Sequence, residues 1–184
     1  MFQLTKTKLD TLFLGLLFFL STYLCYEVSS VSFELLNLDF PFITKMSSFF
    51  SALLPLTIFL FYLFTTKYMF TVFDLEFKFL SIVKIISLGY IPIVISQAVT
   101  YFILINLDKS DFDSSYSYLN SYFFGFELKE IINLFEYFWV LFYLIFLIKL
   151  KIEYQLNIKE ALIICLTPTL FIMVFNYIWR LTLE

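Results

Sequence analysis

The stretch FEYFWVLFYLIFLIKLKIEY, residues 135–154, decides the class of this protein. One acid, Glu136, stands near its start, and no further charged side chain follows before Lys149 and Lys151. A membrane-spanning helix needs about 20 mostly apolar residues, and lysines at the end of such a run can reach the lipid headgroups. The stretch therefore predicts a helix that crosses a bilayer.

Composition extends this prediction to the whole chain. Of 184 residues, 61% are hydrophobic, 23% are aromatic and 15% are charged, whereas soluble domains contain about 25% charged residues. In water such a chain would expose apolar patches larger than soluble monomers show. We therefore predict an integral membrane protein whose solvent is the lipid bilayer.

Five segments are long and apolar enough to span a bilayer. They are residues 11–28, 47–66, 80–106, 131–148 and 161–179. Backbone groups in hydrocarbon need hydrogen-bond partners within their own segment, so each span should be a helix. The sequence predicts an all-α bundle of five transmembrane helices that forms one domain over residues 1–184, with the first span kept as an anchor and not removed as a signal peptide.

The distribution of basic residues gives the bundle a direction, because cytoplasmic loops are enriched in Lys and Arg. With the N-terminus inside, eight of the twelve basic residues fall on the cytoplasmic face. These eight are Lys6, Lys8, Lys67, Lys78, Lys84, Lys149, Lys151 and Lys159, against Lys45, Lys109, Lys129 and Arg180 outside. We expect the N-terminus inside and the C-terminus outside.

The inventory of reactive side chains argues against catalysis. The chain has no histidine, and its two cysteines, Cys25 and Cys165, stand far apart in apolar stretches. Buried free cysteines pack as small hydrophobic residues. No nucleophile with a base, phosphate-binding glycine loop or basic nucleic-acid patch is present. We expect no enzyme, no cofactor, no metal site and no nucleic-acid partner.

Four residues within the spans are candidates for packing or partner contacts. Gln97 and Asn176 carry polar side chains in apolar surroundings, where interhelical hydrogen bonds are the usual role. Pro92 and Pro168 each remove one helical hydrogen bond, so we predict kinks in the third and fifth spans.

Glu136 is the most informative ionisable residue, because acids within a membrane helix are costly and often functional. It lies about one and a half turns from the predicted outer boundary, with Trp139 and Tyr137 at similar depth as an aromatic belt. Three interpretations stay open: a marker of the interface or a packing polar group, a contact to a partner or ligand, and a proton relay. A relay would need a second titratable group at that depth.

Two stretches resemble the Yip1 family of small five-span membrane proteins. The first is FDLEFKFLSIVKIISLGYIPIVISQ (73–97), with Tyr90 and Pro92 inside the span, and the second is residues 134–166, with the run Lys159–Leu162 before the fifth span. The resemblance implies an accessory membrane protein without catalysis. Some bacterial relatives stand beside ABC-type export systems and assist toxin or peptide resistance, while eukaryotic ones contact small GTPases.

Three functional hypotheses follow. The first is an accessory subunit in a bacterial plasma membrane, the setting that the Phe-, Ile- and Lys-rich composition favours, docked on an ABC-type permease and ATPase complex. The second is an immunity-type protein that binds a membrane-active peptide through an acidic outer loop, residues 107–130, which includes a short predicted interfacial helix at 114–123. The third is a small channel or carrier, in which Glu136, Gln97 and Asn176 would line one pore.

Overall fold

A computed structural model describes residues 6–35, 40–107, 122–123 and 126–183. Within these ranges the chain is almost entirely helical. In chain order the elements are α1 (Lys6–Leu35), α2 (Pro41–Val72), α3 (Phe79–Ile105), β1 (Tyr122–Phe123), β2 (Phe126–Glu127), α4 (Leu128–Tyr154) and α5 (Ile158–Leu183). Each of the five predicted spans falls on one helix, to within a residue at its ends.

Four helices are long and apolar enough to cross a membrane when only the described residues are considered. The qualifying segments are Leu12–Leu35, Pro41–Val72, Phe79–Ile105 and Ile158–Phe175. Of the residues in the most apolar 18-residue stretch of α3, 50% are buried. The corresponding share in α1 is 17%. The helical, membrane-type architecture is therefore confirmed, and α3 supplies more of the protein core than α1.

The turn after α2 is a Schellman motif, which explains why this helix stops where it does. The N–H of Leu75 donates to the carbonyl of Phe70 at 2.8 Å, and that of Asp74 donates to Thr71 at 3.3 Å. Asp74 has a φ of 52°, a left-handed conformation that Asp tolerates better than most residues. The chain can thus leave α2 and begin α3 at Phe79.

The turn between α4 and α5 is closed by a reciprocal cap. Gln155 adopts a φ of 51°, which ends α4. Asn157 Oδ1 then accepts a hydrogen bond from the Glu160 N–H at 2.9 Å, and Glu160 Oε2 accepts one from the Asn157 N–H at 3.2 Å. Two backbone donors at the start of α5 are thereby satisfied, as in a capping box.

The segment before α4 differs from the prediction of an interfacial helix over 114–123. Tyr122 pairs with Glu127, and Phe123 pairs with Phe126, as two antiparallel strands. The predicted helix is wrong for Tyr122 and Phe123, because these aromatic residues favour an extended backbone when a partner strand is close. Residues 114–121 lie outside the described part of the chain.

The chain divides into two compact units. The first contains Met1–Thr57 and Tyr90–Phe142, and the second contains Ile58–Gly89 and Tyr143–Glu184. In the first, Leu35, Ile103 and Leu104 form a buried cluster. In the second, the buried ring of Phe70 contacts the rings of Phe77 and Tyr154 edge-on. The single domain predicted from the sequence stays a prediction.

Candidate functional site

Gln97, on α3, is the centre of a polar cluster in the first unit. Its Oε1 accepts a hydrogen bond from Ser21 Oγ at 2.8 Å, and its Nε2 donates to Cys25 Sγ at 3.1 Å. Ser21 and Cys25 are four residues apart on α1 and therefore project from one face of that helix. One amide thus joins α3 to two successive turns of α1.

A pocket of about 240 Å³ lies beside this cluster. Three helices line it: α1 with Cys25, Val28 and Ser29, α2 with Ser51 and Leu54, and α3 with Ser96, Gln97 and Thr100. Several of its polar groups already bond to protein, since Ser51 Oγ donates to Ser29 Oγ at 3.3 Å and Thr100 Oγ1 donates to the Ser96 carbonyl at 2.9 Å. The eight lining residues have no carboxylate or basic side chain, so the pocket offers mainly hydrogen-bonding groups.

Trp139 packs between aromatic rings instead of standing free at the helix surface. Its ring is 5.6 Å from that of Phe142 and 6.5 Å from that of Tyr90, both edge-on. Tyr90 in turn contacts Phe18 of α1 at 5.6 Å. Such aromatic contacts stabilise by about 0.5–1.5 kcal/mol each. Tyr137, by contrast, is exposed, so the two residues of the predicted belt have different surroundings.

Glu136 and Asn176 belong to α4 and α5 respectively. Their side chains lie outside the part of the molecule that the structure describes. The three interpretations of Glu136, and the interhelical hydrogen bond predicted for Asn176, therefore stay predictions.

Helices α3 and α5 continue through the two prolines at which kinks were predicted. Pro92 lies inside α3 and Pro168 inside α5, and both are buried. Beside Pro168, the Thr167 hydroxyl donates to the Ile163 carbonyl of the preceding turn at 2.6 Å. A kink at either proline stays a prediction. Pro55 in α2 is a third buried proline, and it was not among the predicted kink positions.

A second polar cluster, in the second unit, was missed from the sequence. Tyr62 donates to Tyr143 Oη at 3.0 Å and lies 3.2 Å from Thr169 Oγ1, and Tyr143 and Thr169 are hydrogen-bonded to each other. These three hydroxyls come from α2, α4 and α5. Tyrosine is common at the membrane interface, so the sequence does not show that a tyrosine forms hydrogen bonds in mid-span. The available signal was the Thr169 hydroxyl directly after Pro168.

Neither cluster resembles a metal centre. No group of three His, Cys, Asp or Glu that could hold an ion occurs among the described residues, and Cys25 and Cys165 are free thiols. In both clusters, hydrogen bonds between side chains join one helix to another.

Comparison of the chain with protein-family models, with curated proteins and with solved structures found no match.

Proposed function

We propose that this chain is an accessory subunit of a larger membrane complex, acting without catalysis through its lipid-level surface. This proposal rests mainly on the exposure of the side chains of α5 that follow Pro168. Every side chain described from Leu170 to Ile178 is exposed. The described residues of this stretch cover more than two turns, so exposed side chains occur on every side of the helix.

An uncovered helix of this composition suits contact with another membrane helix. Its exposed side chains are large and apolar or aromatic: Leu170, Phe171, Ile172, Met173, Val174, Phe175, Tyr177 and Ile178. Lipid tails are as apolar as these side chains, so association here would depend on close van der Waals fit. Met173 makes this surface adaptable, and Phe171 and Phe175 give it a large contact area.

The number of spans and the orientation belong to the same proposal. At about 1.5 Å per residue, α4 with its 27 residues is about 40 Å long, enough to cross a hydrocarbon core of about 30 Å. If α4 crosses the membrane together with the four helices named above, the chain has five spans. Its termini then lie on opposite sides, with the N-terminus inside and the C-terminus outside. The basic residues support this direction.

The orientation can be tested with single cysteines placed in a chain whose Cys25 and Cys165 are replaced by alanine. Phe40→Cys, just before α2, should react with a membrane-impermeant maleimide in intact cells. Asp74→Cys, in the turn after α2, should react only after permeabilisation. The opposite pattern would reverse the proposed direction.

For the partner we propose an ABC-type permease and ATPase complex of a bacterial plasma membrane. The support is the Yip1-family resemblance of residues 73–97 and 134–166, together with the uncovered α5 surface. A membrane-active peptide bound by the acidic outer loop is the alternative, and residues 108–121 of that loop lie outside the described structure. The channel hypothesis gains no support from Gln97, which uses its amide on Ser21 and Cys25.

Photo-crosslinking in the native membrane tests the partner. A photoreactive phenylalanine at Met173 samples the uncovered α5 surface, and the same group at Phe19, which is exposed on α1, is the matched control. The expected result is one protein adduct at Met173, identified by mass spectrometry as a permease subunit, with only lipid adducts at Phe19. Lipid adducts alone at both positions would contradict the proposal.

A further inference from the structure

The pocket beside Gln97 is large enough to hold part of a small ligand. Its volume is about 240 Å³, and α1, α2 and α3 all contribute to its wall. All of its lining residues belong to the first unit. At about 30 Å³ for each water molecule, the space corresponds to about eight groups of that size. A pocket with an apolar wall and a few convergent polar groups is the usual form of a small-molecule site.

Two side chains that line the pocket carry a hydrogen that the bonds described above do not use. The Gln97 side-chain amide has two N–H hydrogens, and the bond to Cys25 Sγ uses one of them. Ser29 Oγ accepts the hydrogen bond from Ser51 Oγ at 3.3 Å, so that bond leaves the hydrogen of the Ser29 hydroxyl itself unused. The wall of the pocket therefore offers one donor from α3 and one from α1, which suits a ligand that carries hydrogen-bond acceptors.

The pocket lies below the level of the lipid headgroups. Gln97, Cys25 and Ser51 are eight, ten and ten residues from the nearer ends of their helices, which is about 12–15 Å at about 1.5 Å per residue. The three helices, with 27 to 32 residues each, exceed a hydrocarbon core of about 30 Å by only about 5–9 Å at each end. Whatever enters the pocket must therefore dissolve in the bilayer.

A ligand at this depth should be uncharged. The residues that line the pocket include no carboxylate, ammonium or guanidinium group, and a charge without a partner is costly in such surroundings. A carbonyl oxygen accepts hydrogen bonds without carrying a charge, so it is complementary to the two donors. Lipid esters and lipid-soluble quinones both present carbonyl oxygens at the polar end of an otherwise apolar molecule.

We propose that this pocket binds the carbonyl end of a neutral, bilayer-soluble molecule, with Gln97 Nε2 and the Ser29 hydroxyl as the donors. Val28 and Leu54 supply the apolar part of the wall. The inference concerns the first unit alone, so it does not depend on the partner proposed for α5.

Native mass spectrometry of the full chain in mild detergent tests the ligand class with two matched pairs of probes. The first pair is a decyl-substituted benzoquinone and the dimethyl ether of its hydroquinone. The second is dioctanoylglycerol and its ether analogue dioctylglycerol. At least one carbonyl-bearing probe should be retained more strongly than its matched ether, and the pair that shows this preference identifies the source of the ligand. If neither carbonyl-bearing probe is retained more strongly than its ether, the proposal is overturned.

Variants of the pocket wall test the location of the site. Ser29→Ala should weaken retention of the preferred probe by about fivefold, the effect of losing one hydrogen bond. Ser32→Ala is the matched control on the same helix and should behave as wild type, because the Ser32 hydroxyl donates to the Val28 carbonyl at 2.7 Å and lies outside the pocket wall.

Leu54→Trp adds bulk to the wall and removes no polar group, so it should abolish retention by filling the space. Circular dichroism and gel filtration establish that each variant is folded. Unchanged retention of the preferred probe in either Ser29→Ala or Leu54→Trp would place the ligand elsewhere and overturn the proposal.

Discussion

Ser21 and Gln97 are 76 residues apart in the chain, yet Ser21 Oγ donates a hydrogen bond of 2.8 Å to Gln97 Oε1. With the bond from Gln97 Nε2 to Cys25 Sγ, it joins α1 and α3 in a region where most side chains are interchangeable hydrocarbon. Polar contacts of this kind specify which helices pair and in which register, because an unpaired amide in lipid is costly.

Gln97→Leu should therefore destabilise the protein. Interhelical hydrogen bonds in membranes contribute about 0.6 kcal/mol on average, so losing two should lower the free energy of unfolding by about 1 kcal/mol. Reversible unfolding in mixed micelles, titrated with a denaturing detergent, measures the change.

A double-mutant cycle identifies the bond responsible. Ser21→Ala and Gln97→Leu should couple, because each removes the same hydrogen bond. Thr100→Val is the control, since the Thr100 hydroxyl bonds within its own helix to the Ser96 carbonyl and should not couple to Ser21→Ala. Additivity of Ser21→Ala and Gln97→Leu would show that their bond contributes no stability.

The hydroxyl cluster of the second unit should respond to removal of a single oxygen. Tyr143 is hydrogen-bonded to both Tyr62 and Thr169, so Tyr143→Phe should lower the free energy of unfolding by about 1 kcal/mol. Tyr68→Phe is the control, because Tyr68 is 61% exposed on the same helix as Tyr62. Equal effects of the two substitutions would contradict a stabilising role for the cluster.

The sequence was sufficient to place the helices but not their contacts. Continuous apolar runs with flanking lysines located all five helices, since length and hydrophobicity decide where a chain can cross lipid. Gln97 stood out as a polar residue in such a run. Its hydrogen-bond partners Ser21 and Cys25 could not be identified, because α3 is apolar along its whole length and no periodicity shows which face meets α1. Tyr62 and Tyr143 were missed for a related reason: tyrosine is common at the interface and gives no sign of mid-span pairing.

Thr66 differs from the hydrogen-bonded residues above, because removing its hydroxyl should stabilise the protein. It is fully buried, and its hydroxyl has no hydrogen-bond partner among the described residues. Thr66→Val keeps the shape and removes the unpaired oxygen, so it should raise the free energy of unfolding by about 1 kcal/mol. The neighbouring Thr65→Val is the control, because the Thr65 hydroxyl bonds to the Phe61 carbonyl at 2.7 Å. Destabilisation by Thr66→Val would reveal a partner such as a bound water.

The cap of α5 gives the sharpest local prediction. Asn157 and Glu160 satisfy each other's backbone N–H groups at the point where the chain turns from α4 into α5. Asn157→Ala removes one half of this exchange and should lower the free energy of unfolding by about 1 kcal/mol, while Asn157→Ser should keep most of it, because serine caps nearly as well. Lys159→Ala, in the same turn and exposed, is the matched control. If Asn157→Ala and Lys159→Ala unfold at the same denaturant concentration, the cap contributes nothing, and packing of the buried Ala161 and Ile164 alone must hold the start of the helix.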